Sequence, residues 1–241
     1  MPELVVVVPS RGRPHTVAEL AAAFRETCEL PDTGLVFAVD ESDPTWPEYE
    51  RAVEVEPPGR DERPMVAAMC APTSTMVEAL NFAALRLLDH FGAGIDAVGF
   101  FGDDHRPRSA SWDRAYLDAL AARPGIVYGN DLLQRENLPT QCAMSTSWVR
   151  ALGHMAPTLL VHLFVDDYWL RLGRAADGLT YLPDVVVEHV HPIAGEVAWD
   201  EGHRRVNQPA MYDRDRASFA YYWWHYGERD VAAVRGLVSR A

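Results

Sequence analysis

The segment Phe100-Phe101-Gly102-Asp103-Asp104-His105 sets two carboxylates and an imidazole directly behind an apolar run. Carboxylate oxygens and imidazole nitrogens are ligands for divalent cations. On an extended backbone Asp103 and His105 share a face, so the spacing predicts that this pair holds one cation while Asp104 points to a hydroxyl or a second ligand position. A solvated acidic turn is the bland alternative.

Three further segments carry groups of the same kind. In Val185-Val186-Val187-Glu188-His189-Val190-His191, closed by Pro192, alternation puts His189 and His191 on one face of a strand end, an arrangement suited to a metal. Val165-Asp166-Asp167-Tyr168-Trp169-Leu170 opens a helix with two carboxylates, which offset the helix dipole or, if desolvated beside Trp169, act as a general base. Pro9-Ser10-Arg11-Gly12-Arg13-Pro14 brings two guanidinium groups suited to a diphosphate, in a segment that lacks the G-x-G-x-x-G dinucleotide fingerprint. Asp40 either accepts from a ribose or base edge or caps its own loop.

The elements that must position these groups follow from periodicity. Leu4 to Val8 reads as a strand buried on both faces of a parallel sheet. A helix follows, with Val17, Leu20, Ala21 and Phe24 on one stripe and Thr16 as its N-cap. Gly34 to Val39 is a second strand, Met65 to Met69 a short one, Thr75 to His90 a helix, and Ala97 to Phe101 a strand that delivers the Asp-Asp-His group to a carboxyl edge, where open α/β sheets bind ligands. Beyond it, Ser111 to Ala122 and Val165 to Arg174 read as helices. Gly125 to Tyr128 and Leu182 to His191 read as strands, and Met144 to Gly153 turns from strand to helix. Asn130 to Thr140 is a polar loop, Ala194 to Asn207 a charged lid or loop, and the chain from Pro209 onward a helical tail rich in aromatics that pack or meet another copy. The expected fold class is α/β, a mostly parallel sheet flanked by helices with a less regular second half and C-terminal helices.

Composition excludes several chemistries. All 22 basic residues are arginine; with no lysine there is no Schiff-base nucleophile, no pyridoxal-phosphate anchor and no Walker A loop. The net charge of −13 argues against sequence-independent nucleic-acid binding. Cys28, Cys70 and Cys142 are far apart and signal neither a disulfide framework nor a zinc knuckle, which fits a reducing cytoplasm. No run approaches the ~18 apolar residues of a membrane span. The expectation is a soluble cytoplasmic protein, with no membrane partner, that is a candidate homo-oligomer.

Taken in order, Val5-Val6-Val7-Val8-Pro9-Ser10-Arg11, Phe37-Ala38-Val39-Asp40, Ala79-Leu80-Asn81-Phe82-Ala83, Phe101-Gly102-Asp103-Asp104-His105 and Val165-Asp166-Asp167-Tyr168-Trp169-Leu170 resemble the nucleotide-sugar glycosyltransferases of the GT-A fold, family 2-like, over roughly residues 4 to 191. The G-D-D-H and E-H-x-H-P segments resemble most the small glycosyltransferases of actinobacterial phages. The resemblance implies one GT-A (Rossmann-like) domain over 1–241, with a nucleotide-binding half to about 105 and an acceptor half beyond. It implies a nucleotide-diphosphate sugar donor held by Pro9, Arg11, Arg13, Asp40, Asn81 and Asp103, and a site for Mn²⁺ or Mg²⁺ made by Asp104, His105 and His191, with Asp103 and His189 as the alternatives. Asp167 or Asp166 is then the base of an inverting hexosyl transfer to a hydroxyl of a protein, a glycan or a modified DNA base. Two rival readings remain: a metal-dependent hydrolase using the same Asp and His ligands, and a non-catalytic carbohydrate-binding protein of the same fold.

Overall fold

A computed structural model describes residues 3–54, 64–190 and 208–238. The chain alternates strand and helix through its first half: β1 (Leu4–Ser10), α1 (His15–Thr27), β2 (Thr33–Asp40), α2 (Trp46–Glu54), β3 (Met65–Ala71), α3 (Met76–Phe91) and β4 (Ala97–Phe100). The second half holds β5 (His105–Pro107), α4 (Trp112–Ala122), β6 (Ile126–Asn130), β7 (Cys142–Ser145), α5 (Thr146–Leu152), α6 (Val165–Ala176), β8 (Leu179–His189) and α7 (Pro209–Arg235).

One eight-stranded sheet runs through both halves in the order β3-β2-β1-β4-β7-β6-β8-β5. Strands β3, β2, β1 and β4 are parallel, so the carboxyl ends that follow Ser10, Asp40 and Phe100 open on the same edge. Strand β7 reverses direction against β4 and β6, and β8 runs parallel to β6. The uninterrupted valines of β1 are explained by its central place. Val5 and Val7 join the core beneath α3, while Leu4, Val6 and Val8 join the core beneath α1. Burying each such side chain on either face contributes about 1.5–3 kcal/mol.

Several elements depart from the sequence expectation. Thr16 is not the N-cap of α1; Pro14 holds that position, and Thr16 lies in the first turn with its hydroxyl donating to the Arg13 carbonyl at 2.8 Å. Helix α2 was not anticipated, and it brings the buried Tyr49 under the loop after β1. Strand β4 stops at Phe100, and the extended run expected through Asp103 to His105 is broken by a turn at Asp103-Asp104. The His105 N–H closes that turn on the Gly102 carbonyl at 3.0 Å, and β5 begins at His105. The aromatic tail is packed at Phe219 and Tyr222, whereas Tyr221 and Trp224 are exposed. Residues 194–207, read as a lid, lie outside the described residues. Among the described residues no helix is long and apolar enough to cross a membrane.

Candidate active site and metal centre

The carboxyl edge of the parallel strands opens into a cleft of about 520 Å³, walled by residues from both halves of the chain. On one side, the loop after β1 turns sharply at Gly12, whose φ of 68° lies in the left-handed region that glycine enters without cost. The turn is fixed from below. Asp43 accepts the Gly12 N–H at 2.6 Å, and the Tyr49 hydroxyl accepts the Arg13 N–H at 2.9 Å. Both arginines then reach into the cleft already paired. Arg11 donates to Asp40 at 2.7 Å, and Arg13 donates to Asp103, whose other oxygen accepts from Ser10 at 2.7 Å. Asp40 also caps its own loop, accepting the N–H and hydroxyl of Ser42.

The turn at Asp103-Asp104 gives the two carboxylates different fates. Asp103 faces Ser10 and Arg13, so it does not share a face with His105 as the extended reading required. Asp104 instead turns toward the imidazoles. Strand β5 pairs antiparallel with β8, and that register sets His105 directly opposite His189. Asp104 lies 3.5 Å from Nδ1 of His105 and 3.4 Å from Nε2 of His189. Each of the three residues offers one ligand atom, and these atoms lie within 4.8 Å of one another. The Val190 N–H, donated to the Asp104 carbonyl at 2.9 Å, ties the turn to the end of β8.

These residues fit a divalent cation on several grounds. The donor set is one carboxylate and two imidazoles, which suits a first-row transition ion better than Mg²⁺, an ion that prefers oxygen ligands. Burial, followed by the neighbouring His189, pushes the His105 pKa down and keeps its ring neutral, as a ligand must be. Its Nε2 is buried with no hydrogen-bond partner among the described residues. Burial also disfavours a charged His189, but the Asp104 carboxylate, with Asp131 and Asp166, outweighs it and raises that pKa. Gly102 leaves the space: a Cβ there would lie 2.5 Å from Asp104 Oδ1 and 2.8 Å from His105 Nδ1.

On the other side of the cleft stand residues 161–164 and the start of α6. Asp166 lines the cleft with Trp169, and Asp167 does not. Burial, then the adjacent Asp167 charge, raises the Asp166 pKa to about 6. The Asp167 pKa is also raised by burial, against the pull of Arg171. Asn81 takes another place. Its side chain clamps the backbone of Met155 and Ala156 from within α3, accepting both N–H groups and donating to the Ala156 carbonyl, and it does not line this cleft. His191 lies outside the described residues.

Sequence reasoning named Pro9, Arg11, Arg13, Asp40, Asp103, Asp104, His105, His189 and Asp166, and the structure brings all of them to one cleft. It passed over Ser10 as a side chain, Thr140, residues 161–164 and Met211 of α7, which also line it. The hydroxyl of Ser10 is visible in the sequence; the rest are placed by contacts between distant segments.

No protein-family model matches the chain. No curated protein matches it by sequence. Solved structures do match. The mannosyltransferase PcManGT from Pyrobaculum calidifontis, in complex with GDP-Man and Mn²⁺, aligns over 100% of this chain and 76% of its own, at 15% identity and a TM-score of 0.59. Residues 1–349 of S. aureus TarS in complex with UDP-GlcNAc align over 94% of this chain and 73% of that one, at 11% identity and a TM-score of 0.53. Against a longer TarS structure the chain spans 43% of the partner's length, at 13% identity and a TM-score of 0.52. These likenesses establish a glycosyltransferase-like fold: a mixed α/β sheet of eight strands flanked by helices.

Proposed function

We propose that the protein is a nucleotide-sugar glycosyltransferase that works with a divalent cation, Mn²⁺ in preference to Mg²⁺. The observation that carries this reading is the Asp104, His105 and His189 cluster in the same cleft as the Arg11–Asp40 pair and the Asp166 carboxylate. Charge strengthens it. Among the described residues the cleft is lined by Asp40, Asp103, Asp104 and Asp166 against Arg11 and Arg13, so a diphosphate entering alone meets an excess of carboxylates over guanidinium groups there. When bound, the cation supplies Lewis-acid neutralisation of the leaving diphosphate. PcManGT binds GDP-Man with Mn²⁺, and TarS binds UDP-GlcNAc, in structures of the same fold.

The chain's own residues divide the work. Asp40 and Arg11 hold the nucleoside end, and Arg13, fixed by Asp103, faces the phosphates. Asp104, His105 and His189 hold the cation; the sequence reading gives that third place to His191, which lies outside the described residues, with His189 as its alternative. Asp166, rather than Asp167, accepts the proton of the attacking hydroxyl, because it faces the cleft with a pKa near working pH. A base on the acceptor side corresponds to direct displacement, hence to an inverting hexosyl transfer. The likeness to phage glycosyltransferases and a cytoplasmic location rest on the sequence alone, as does the single-domain division near residue 105.

Calorimetry and turnover assays with UDP- and GDP-sugars, with and without Mn²⁺, test the proposal. Metal-dependent binding of one donor and release of its nucleoside diphosphate are expected. Hydrolysis of unrelated esters with no nucleotide requirement would instead favour a metal hydrolase on the same ligands. Saturable sugar binding without turnover would favour a carbohydrate-binding protein.

A further inference from the structure

Residues 161–164 form one wall of the cleft without belonging to any helix or strand, so their backbone groups need partners from elsewhere. The partner is a carboxylate from α7. Asp215 is fully buried and accepts the N–H groups of Val161 at 3.2 Å, His162 at 2.8 Å and Leu163 at 2.8 Å. The Val161 carbonyl in turn accepts the Val77 N–H at 3.3 Å, which fastens the wall to α3.

The next residue is held by the same helix. Phe164 has φ 65°, a left-handed conformation that costs a non-glycine residue roughly 1–2 kcal/mol. Its ring packs between those of Tyr212 and Phe219, at centroid distances of 5.1 and 5.9 Å. A strained residue persists where its surroundings over-determine it, and such residues cluster at functional sites. Phe164 precedes Asp166 by two residues, and its carbonyl accepts the Tyr168 N–H at 3.1 Å, the first hydrogen bond of α6. Helix α7 therefore grips the entry to α6 twice: through the Asp215 carboxylate and through the rings around Phe164.

We propose that Asp215 is a positioning residue. By fixing the backbone of residues 161–163, and through Phe164 the first turn of α6, it sets the place of the Asp166 carboxylate in the cleft. The inference rests on the reading of Asp166 as the base. All three N–H groups reach Oδ2 of Asp215, and that of Val161 also reaches Oδ1; an asparagine with its carbonyl in the Oδ2 place would set its NH₂ against the Val161 N–H.

The protein contains its own control. Asp113 on α4 is also fully buried and accepts the N–H groups of Glu29 and Leu30 and the Thr33 hydroxyl, yet none of these residues lines the cleft. The two carboxylates match in burial and differ in what they hold. The full-length chain carrying Asp215→Ala, Asp215→Asn or Asp113→Ala separates positioning from mere stability.

Amide exchange by NMR is read at residues 161–163 and at Tyr168, together with the carboxyl ¹³C resonance of Asp166, the melting temperature, and turnover of the donor identified with Mn²⁺. Both alanine variants are expected to lower the melting temperature. Only Asp215→Ala should speed exchange at residues 161–163 at least tenfold and move the Asp166 resonance. It should also lower kcat about 10- to 100-fold at nearly constant donor KM, the scale set by a misplacement of about 1 Å. Asp215→Asn should fall between the alanine variant and the wild type. The proposal is overturned if Asp215→Ala leaves exchange and the Asp166 resonance unchanged, or if Asp113→Ala lowers kcat equally. Absence of any nucleotide-sugar turnover in the wild type would sink the functional reading, while exchange and the Asp166 resonance would still decide the positioning one.

Discussion

His105 and His189 face each other across the β5–β8 ladder with their rings stacked, centroids 4.4 Å apart and planes 18° from parallel. Two imidazoles in such contact do not both carry a proton comfortably, and the pair divides accordingly. His105 is held neutral by burial, and His189 faces the Asp104 carboxylate. Residues 84 positions apart in sequence thus act as one unit with a single carboxylate.

On the proposed metal reading, loss of any member should weaken cation binding. Asp104→Ala, His105→Ala and His189→Ala are each expected to weaken Mn²⁺ binding on the order of 100-fold or more, since even outer partners of metal ligands are worth 10- to 100-fold. Calorimetric titration with Mn²⁺ measures this, with His191→Ala alongside. Undiminished affinity in His105→Ala, or a loss in His191→Ala matching that in His189→Ala, would contradict the ligand assignment.

Gly102→Ala should damage the same centre without replacing a ligand residue. The added methyl lands on Asp104 Oδ1 and His105 Nδ1, so the turn must shift. Mn²⁺ affinity is expected to fall at least tenfold while the circular dichroism spectrum stays that of the wild type. Tight Mn²⁺ binding in this variant would show that the turn has slack the geometry denies.

The two adjacent carboxylates of α6 should separate by mutation. Asp166→Asn is expected to lower kcat by roughly 10² to 10⁴ with donor binding intact, the range for removal of a general base. Asp167→Asn, outside the cleft, should cost far less. Comparable losses in both variants would return the assignment to the pair.

Asp166 also predicts two pH dependences. Turnover should rise with pH through about 6, as the carboxyl ionises. Stability should move the other way. The folded-state pKa of about 6, raised first by burial, exceeds the ordinary Asp value of about 3.9, so the folded protein holds this proton more tightly than the unfolded chain. The resulting stabilisation is fully present below about pH 4 and is lost as pH rises through about 6. Urea unfolding of the metal-free protein between pH 4 and 7.5, compared with Asp166→Asn, should show a contribution that declines with rising pH in the wild type and is missing in the variant.

The parts of the fold that periodicity dictates were legible in the sequence. The valine run of β1, the apolar stripe of α3 and the abrupt polar group after β4 each follow from residues close together in the chain. The site was legible as a set of segments but not as a geometry. The extended reading joined Asp103 to His105, whereas the Asp103 carboxylate is taken by Ser10 and Arg13, which lie more than 80 residues away. The pairing of His105 with His189 depends on a register that alternation along a single strand does not fix. Helix α2 has no clear local signal although it supplies Tyr49, and nothing local to Asn81 shows the backbone of Met155 and Ala156 that it clamps.

The pairing of Arg11 with Asp40 and of Arg13 with Asp103 bears on the order of events in the cleft. Guanidinium groups already engaged by carboxylates make a poor trap for anions that arrive alone, and Arg11 and Arg13 are the only arginines among the described residues that line the cleft. On the proposed function, a nucleotide would enter in company with its counter-ion. The same balance would then disfavour free phosphates against a chelated donor, and the cleft would discriminate by coincidence rather than by affinity for phosphate.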